Sequence, residues 1–109
     1  MIEPILGSKN AERVLLYLLA RNQGYTREIA RFWGADPDSV QKQLARLEQG
    51  GVLDSKLAGR TRIYRFNPRY SLLKELKALL NKALSFYPQD EQEKLLVVRR
   101  RPRRKDKPL

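Results

Sequence analysis

Downstream of residue 36 the chain gathers side chains that bond to phosphate oxygens and base edges. Ser39, Lys42, Gln43 and Arg46 recur at helical spacing, and Arg60 and Arg62 follow two apart within a short turn-forming segment. Hydroxyls, amides and cations on the outer face of a helix can hydrogen-bond bases and phosphates in a major groove, and arginines at a hairpin tip can reach a phosphate backbone. Thr26 and Arg27 add a hydroxyl and a cation upstream. The residue types of other chemistries are missing. The chain has no Cys and no His, no Gly-rich phosphate loop, and no acid cluster with metal-ligand spacing. Asp36 and Asp38 are the one carboxylate pair that could be offered for catalysis, and their place at a helix start fits capping and dipole complementarity better. The expectation is a protein that is not an enzyme and uses no cofactor and no metal.

These side chains need two helices and a hairpin to hold them. Residues 26 to 34 read as a short helix opened by Thr26 as a hydroxyl N-cap, with Glu28 near the positive end of the helix dipole and Gly34 as the stop. After Ala35, Asp36 supplies a carboxylate cap, Pro37 suits the first helical position, and Gly50-Gly51 ends a second helix over roughly 37–49. Val40, Leu44 and Leu47 form its buried stripe, which leaves Asp38, Ser39, Lys42, Gln43, Arg46 and Gln49 on or beside the outer face. Two β-type segments follow between residues 52 and 66 around a turn at Ala58-Gly59, with Tyr64 and Phe66 facing the core. Phe32 and Trp33 read as core anchors in preference to base-stacking rings. The order is a helix-turn-helix followed by a wing. The fold class expected is mainly α with a small β-hairpin wing (α+β), with flanking N- and C-terminal helices.

The runs Ser39-Val-Gln-Lys-Gln-Leu44, Leu47-Glu-Gln-Gly-Gly-Val-Leu53 and Gly59-Arg-Thr-Arg-Ile-Tyr-Arg-Phe-Asn-Pro68 together resemble the winged-helix regulators of the arsenic-repressor (ArsR-like) family. The resemblance covers residues 26 to 68 well and the flanking helices more loosely. It implies duplex DNA binding and transcription regulation, and it adds Gln41, toward the side of the second helix, to the candidate DNA-binding residues. Metal-sensing members of the family need thiolate or imidazole ligands, so the resemblance is to members without that sensor, and no metal effector is expected.

Charge supports a polyanionic partner. The chain carries 23 Lys and Arg against 12 Asp and Glu, a formal net charge of +11. Residues 1 to 87 hold +7 of it, residues 88 to 98 hold −2 and residues 99 to 109 hold +6, so basicity is not confined to the tail. Nucleic acid is favoured over an acidic membrane, because no long basic amphipathic helix is evident. Without cysteine there is no disulfide framework, and the longest apolar run, residues 14 to 20, is too short to span a bilayer and misplaced for a signal peptide. A cytoplasmic protein is expected.

Ser8 or Asn10 can cap a helix running to about Arg21, apolar on every side between residues 14 and 20. Residues 71 to 84 read as a further helix with a wide leucine stripe that Phe86 and Tyr87 extend. Both present more apolar surface than one small core uses, which points to a homodimer joined through these two helices. The domain expected is residues 1–87, a winged helix-turn-helix with flanking helices. Residues 88–109 form a charged extension with room for a short helix through Leu95 and Leu96, basic and disordered from 99. The function expected is a sequence-specific double-stranded DNA-binding transcriptional regulator, its recognition helix at 37–49 and its wing at 52–66. Ser39 and Gln43 are assigned to bases, Thr26, Arg27, Arg60 and Arg62 to phosphates, and Lys42 and Arg46 to the same helix surface. The alternative is a winged-helix module that binds protein or RNA.

Overall fold

The computed structural model describes residues 1–97 of the 109; the basic segment 99–109 lies outside the described residues. In chain order the elements are α1 (Glu3–Leu6), α2 (Lys9–Arg21), α3 (Thr26–Trp33), α4 (Pro37–Gln49), β1 (Leu53–Ala58), β2 (Thr61–Phe66), α5 (Leu73–Leu84) and α6 (Gln89–Val97). This is the helix-turn-helix and wing, with flanking helices, that the sequence describes.

The fold is built around α2. Ser8 caps it by accepting the Ala11 amide at 3.0 Å, and Val14, Leu15, Leu16, Tyr17 and Leu18 are each at most 1% exposed. Burying each such aliphatic side chain is worth about 1.5–3 kcal/mol, so this helix is the main source of core energy. The sequence leads one to expect that the apolar surround of α2 is shared with a second subunit. Instead the chain covers it unaided, with α1, α3, α4, α5, α6 and β2 all packed against it. The side expected to be open is closed in part by α6, whose Leu95 is fully buried. Arg21 fastens it, donating from Nε and Nη2 to the Leu95 and Lys94 carbonyls at 2.7 and 3.2 Å, where a cation complements the negative end of a helix. The packed body therefore continues past residue 87. Burial pushes the Tyr17 phenol up to about 12.

Glu12, the one buried charge among the described residues, is compensated on all sides. Its carboxylate accepts from the Met1 ammonium, from the Ile2 amide at 2.8 Å and from the Tyr87 hydroxyl, which ties α1 and the α5–α6 connection to the central helix.

Helix α4 forms as its sequence dictates. Asp36 Oδ2 accepts the Ser39 amide at 3.0 Å, Pro37 occupies the first turn, and Val40, Leu44 and Leu47 are buried. Helix α3 begins differently from expectation. Its N-cap is Tyr25, which makes no side-chain cap, and Thr26 is already helical, so the Thr26 hydroxyl is released for another contact. The αL conformation at Gly34, φ 65°, ends α3 and turns the chain into α4.

The wing pairs antiparallel from Leu53 with Phe66 to Ala58 with Thr61. The turn is Gly59-Arg60, one residue later than expected. Gly59 at φ 65° followed by a residue of negative φ is the glycine-first arrangement whose twist matches a hairpin, and it puts Arg60 at the very tip. Tyr64 exchanges both backbone hydrogen bonds with Gly24, at 3.0 and 2.8 Å, and so anchors the wing to the strand-like residues before α3. A Cβ at Gly24 would lie 2.8 Å from Tyr17 Cε1, so only glycine allows this approach. Helix α5 starts at Leu73 and not at Ser71, because the Leu73 amide closes a turn onto the Tyr70 carbonyl at 3.1 Å. It buries Leu80 and Ala83 and leaves Leu72, Leu79 and the following Phe86 on the surface.

Candidate nucleic-acid interface

Helix α4 and the wing present two neighbouring sets of polar groups. On α4 the buried stripe of Val40, Leu44 and Leu47 puts Asp38, Lys42, Ala45 and Gln49 on the outermost face, and all four are exposed. Lys42 makes no hydrogen bond or ion pair among the described residues. Its ammonium is therefore available to a partner.

The other side of the helix is already engaged. Ser39 Oγ donates to Asp36 Oδ2 at 3.1 Å, as an extension of the N-cap. Gln43 is half-buried, and its Oε1 accepts from Arg46 Nε at 3.0 Å, while Arg46 Nη2 donates to the Leu6 carbonyl at the end of α1 at 3.0 Å. Ser39, Gln43 and Arg46 thus lie on a flank of α4 that turns toward α1. Sequence spacing does not reveal this, because the contact that claims Arg46 comes from a residue 40 positions away.

The second set converges. Thr26, Arg27, Gln41, Arg60 and Arg62, drawn from α3, α4 and the wing, line one cleft of about 470 Å³. Arg31, Tyr25 and Thr61 complete it, and the lining has four arginines and no carboxylate. The Thr26 hydroxyl, freed from capping, donates to Gln41 Oε1, and Gln41 Nε2 donates to the hydroxyl of buried Tyr64 at 3.2 Å. Gln41 is thereby held between the two motif helices and the wing. Arg62 is also oriented, with Nη1 donating to Ser55 Oγ at 3.0 Å and Ser55 in turn to Glu48 Oε2 at 2.6 Å. Strand alternation explains the direction. Arg62 shares a face of β2 with Tyr64 and Phe66, toward α3 and α4, whereas Arg65 lies on the opposite face paired to Asp54 at 2.8 Å. That hydrogen bond and charge raise the Arg65 pKa above its ordinary value.

Arg31 is the residue that sequence reading missed. It follows Arg27 by four positions on one helix, a spacing that places both guanidiniums on the same face. Tyr25 and Thr26 at the start of α3, which has no side-chain cap, line the same cleft, and a helix N-terminus near cations attracts anions. The cleft suits a phosphate backbone, and the exposed face of α4 adjoins it. Among the described residues no group of three or more His, Cys, Asp or Glu is placed to hold a metal ion, and no helix is long and apolar enough to cross a membrane.

No protein-family model and no curated protein matches the chain. Solved structures do. Reduced HlyU from Vibrio cholerae shares 17% identity over 81% of this chain and 86% of its own, at a TM-score of 0.60. A homodimeric winged helix-turn-helix DNA-binding domain from Mycobacterium bovis, described as a possible ArsR-family transcriptional regulator, shares 20% over 82% and 80% at 0.58. A mutant of ZitR from Lactococcus lactis in apo form shares 23% over 78% and 73% at 0.55. At these identities the likeness is one of fold, and the fold shared is the winged helix.

Proposed function

We propose that this winged helix is a double-stranded DNA-binding transcriptional regulator with sequence preference, acting in the cytoplasm as a homodimer. The observation that carries the reading is the acid-free cleft of four arginines set between the start of α3, the wing tip and the exposed face of α4. A duplex with α4 in its major groove would lay a phosphate strand along that cleft, the docking expected of a helix-turn-helix with an adjacent wing. The DNA-binding domain of similar fold from M. bovis supports the reading.

Roles follow from availability. Lys42 is the base-reading candidate, since its free ammonium can donate to guanine; Gln41, whose Oε1 and Nε2 are both taken by Thr26 and Tyr64, fixes the junction of α3, α4 and the wing. Arg27, Arg31, Arg60 and Arg62, with Thr26, hold phosphates. Ser39, Gln43 and Arg46 shape and fix the helix flank and are secondary. Dimerisation is assigned to the apolar side chains that the monomer leaves exposed on and beside α5, Leu72 and Leu79, together with Ile5 of α1. With no Cys and no His in the chain, the regulator has no thiolate or imidazole ligand through which to sense a metal.

The test is fluorescence anisotropy of labelled duplexes and of a hairpin RNA competitor over a salt series. Duplex binding that weakens linearly in log–log form as salt rises is expected, with RNA the poorer competitor. Absence of duplex binding at low salt ends the proposal, and preference for the RNA moves the module to the other nucleic acid.

A further inference from the structure

A second recess, also about 470 Å³, opens on the molecule between the start of α2, the end of α3 and the α5–α6 connection. DNA recognition as proposed makes no use of it. Its walls are aromatic, with Phe32, Trp33, Phe86 and Tyr87 all lining it. Phe32 and Trp33 meet edge to face at 4.9 Å between centroids, and the Trp33 indole N–H donates to the Arg13 carbonyl at 3.0 Å, so this wall is fixed. Phe86, on the opposite side, is 60% exposed, an aromatic ring left in water at the mouth of a recess.

Three cations share the lining, Lys9, Arg13 and Lys94, and none of them pairs with a carboxylate within 4.0 Å among the described residues. The Arg13 guanidinium stands 5.8 Å from the Trp33 ring centroid. Of the two acids at the recess, Glu3 is engaged by the Met1 ammonium, which leaves Glu91. The Tyr87 hydroxyl is turned away to Glu12, so Tyr87 offers its ring and not its oxygen.

A concave site with aromatic walls and a surplus of unpaired cations is complementary to a flat ring that carries a negative charge. We infer that the recess binds a planar aromatic carboxylate, its ring against Trp33 and Phe86 and its carboxylate at Arg13 with Lys9 or Lys94. An aliphatic acid would lose the stacking, and a neutral ring would lose the charge-assisted hydrogen bonds.

Trp33 is the only tryptophan in the chain, so its indole N–H gives a single side-chain signal in a proton–nitrogen correlation spectrum. The full-length protein is titrated, without DNA, with naphthoate, naphthamide and octanoate. A saturable shift of the Trp33 indole signal with naphthoate is expected, with affinity for naphthamide and for octanoate about tenfold lower or worse, the loss of one charge-assisted bond or one stacked ring. Arg13→Gln keeps the backbone carbonyl that the indole uses and should weaken naphthoate about tenfold. Lys94→Gln, at an exposed site on α6, gives a second variant should Arg13→Gln lose its dispersed spectrum, and a loss of at least threefold is expected there. No saturable shift at low millimolar naphthoate, equal affinity for acid and amide, or full affinity in both variants overturns the assignment. Because no DNA is present, each of these results stands apart from the fate of the regulator reading.

Discussion

Arg31→Gln tests the phosphate cleft at a residue whose role is visible only in three dimensions. Arg31 lies in the lining with Arg27, Arg60 and Arg62, and no carboxylate among the described residues neutralises it. If each guanidinium displaces one counterion from duplex DNA, the slope of log K against log salt changes by about 0.9 for each phosphate that is no longer neutralised. Removing one arginine from each subunit of a dimer should therefore flatten the slope by about 1.8. With the value extrapolated to molar salt unchanged, one such phosphate corresponds to roughly fivefold in affinity at physiological ionic strength, and two to roughly thirtyfold. Specific and scrambled duplexes should lose affinity alike, since a phosphate contact carries no sequence information. Arg65→Gln is the comparison: it removes the same charge from the opposite face of β2, where Asp54 already pairs with it, and should leave the slope nearly unchanged. The assay is anisotropy at five or so salt concentrations for the parent and both variants. Equal flattening by Arg31→Gln and Arg65→Gln would reduce the effect to net charge and refute the cleft as a phosphate site.

Lys42→Ala should change the ranking of duplex sequences, a good base contact being worth about 1–3 kcal/mol of discrimination, whereas Gln43→Ala should leave the ranking intact; competition against a panel of single-base variants decides. Gly24→Ala forces a Cβ to 2.8 Å from buried Tyr17, and overpacking of about 1–3 kcal/mol should lower Tm by several degrees in a calorimetric scan, while a transition at the parent temperature would show that Tyr17 yields freely. The Tyr17 phenol, at about 12 when folded against 10.0 for an ordinary tyrosine, holds its proton more tightly in the native state. Its contribution to stability is complete below the unfolded value and is lost as pH rises from there toward 12, so urea midpoints should fall across that window in step with delayed tyrosinate absorbance, and a flat profile would contradict it. Leu79→Glu on the exposed stripe of α5 should give a monomer by sedimentation without lowering Tm much; a parent that is itself monomeric at micromolar concentration removes the dimer.

The motif was legible because its signals are local. Asp36, Pro37 and the spacing of Val40, Leu44 and Leu47 define α4 within thirteen residues, and Gly34 and the glycines after Gln49 mark its boundaries. What could not be read depends on residues distant in sequence. Thr26 looks like a cap, yet its hydroxyl goes to Gln41, fifteen positions on, because Tyr25 takes the cap position. Gln43 looks exposed by period alone, yet Arg46, drawn to the Leu6 carbonyl, occupies it. The apolar surround of α2 implied a missing partner, and that partner proved to include α6, a helix whose polar composition hides the buried contact at Leu95. Convergence of Thr26, Arg27, Gln41, Arg60 and Arg62 on one cleft required the Gly24–Tyr64 bridge, which no residue pattern announces.

The central claim is that α4 and the cleft beside it read duplex DNA. Selection of bound duplexes from a random-sequence library by the full-length protein tests it most directly. Enrichment of a pseudo-palindromic site with half-sites about one helical turn apart is expected, absent from the selected pool when Lys42 is replaced by alanine. A library that emerges unenriched, or one that the Lys42→Ala variant enriches for the same sequence, would contradict it.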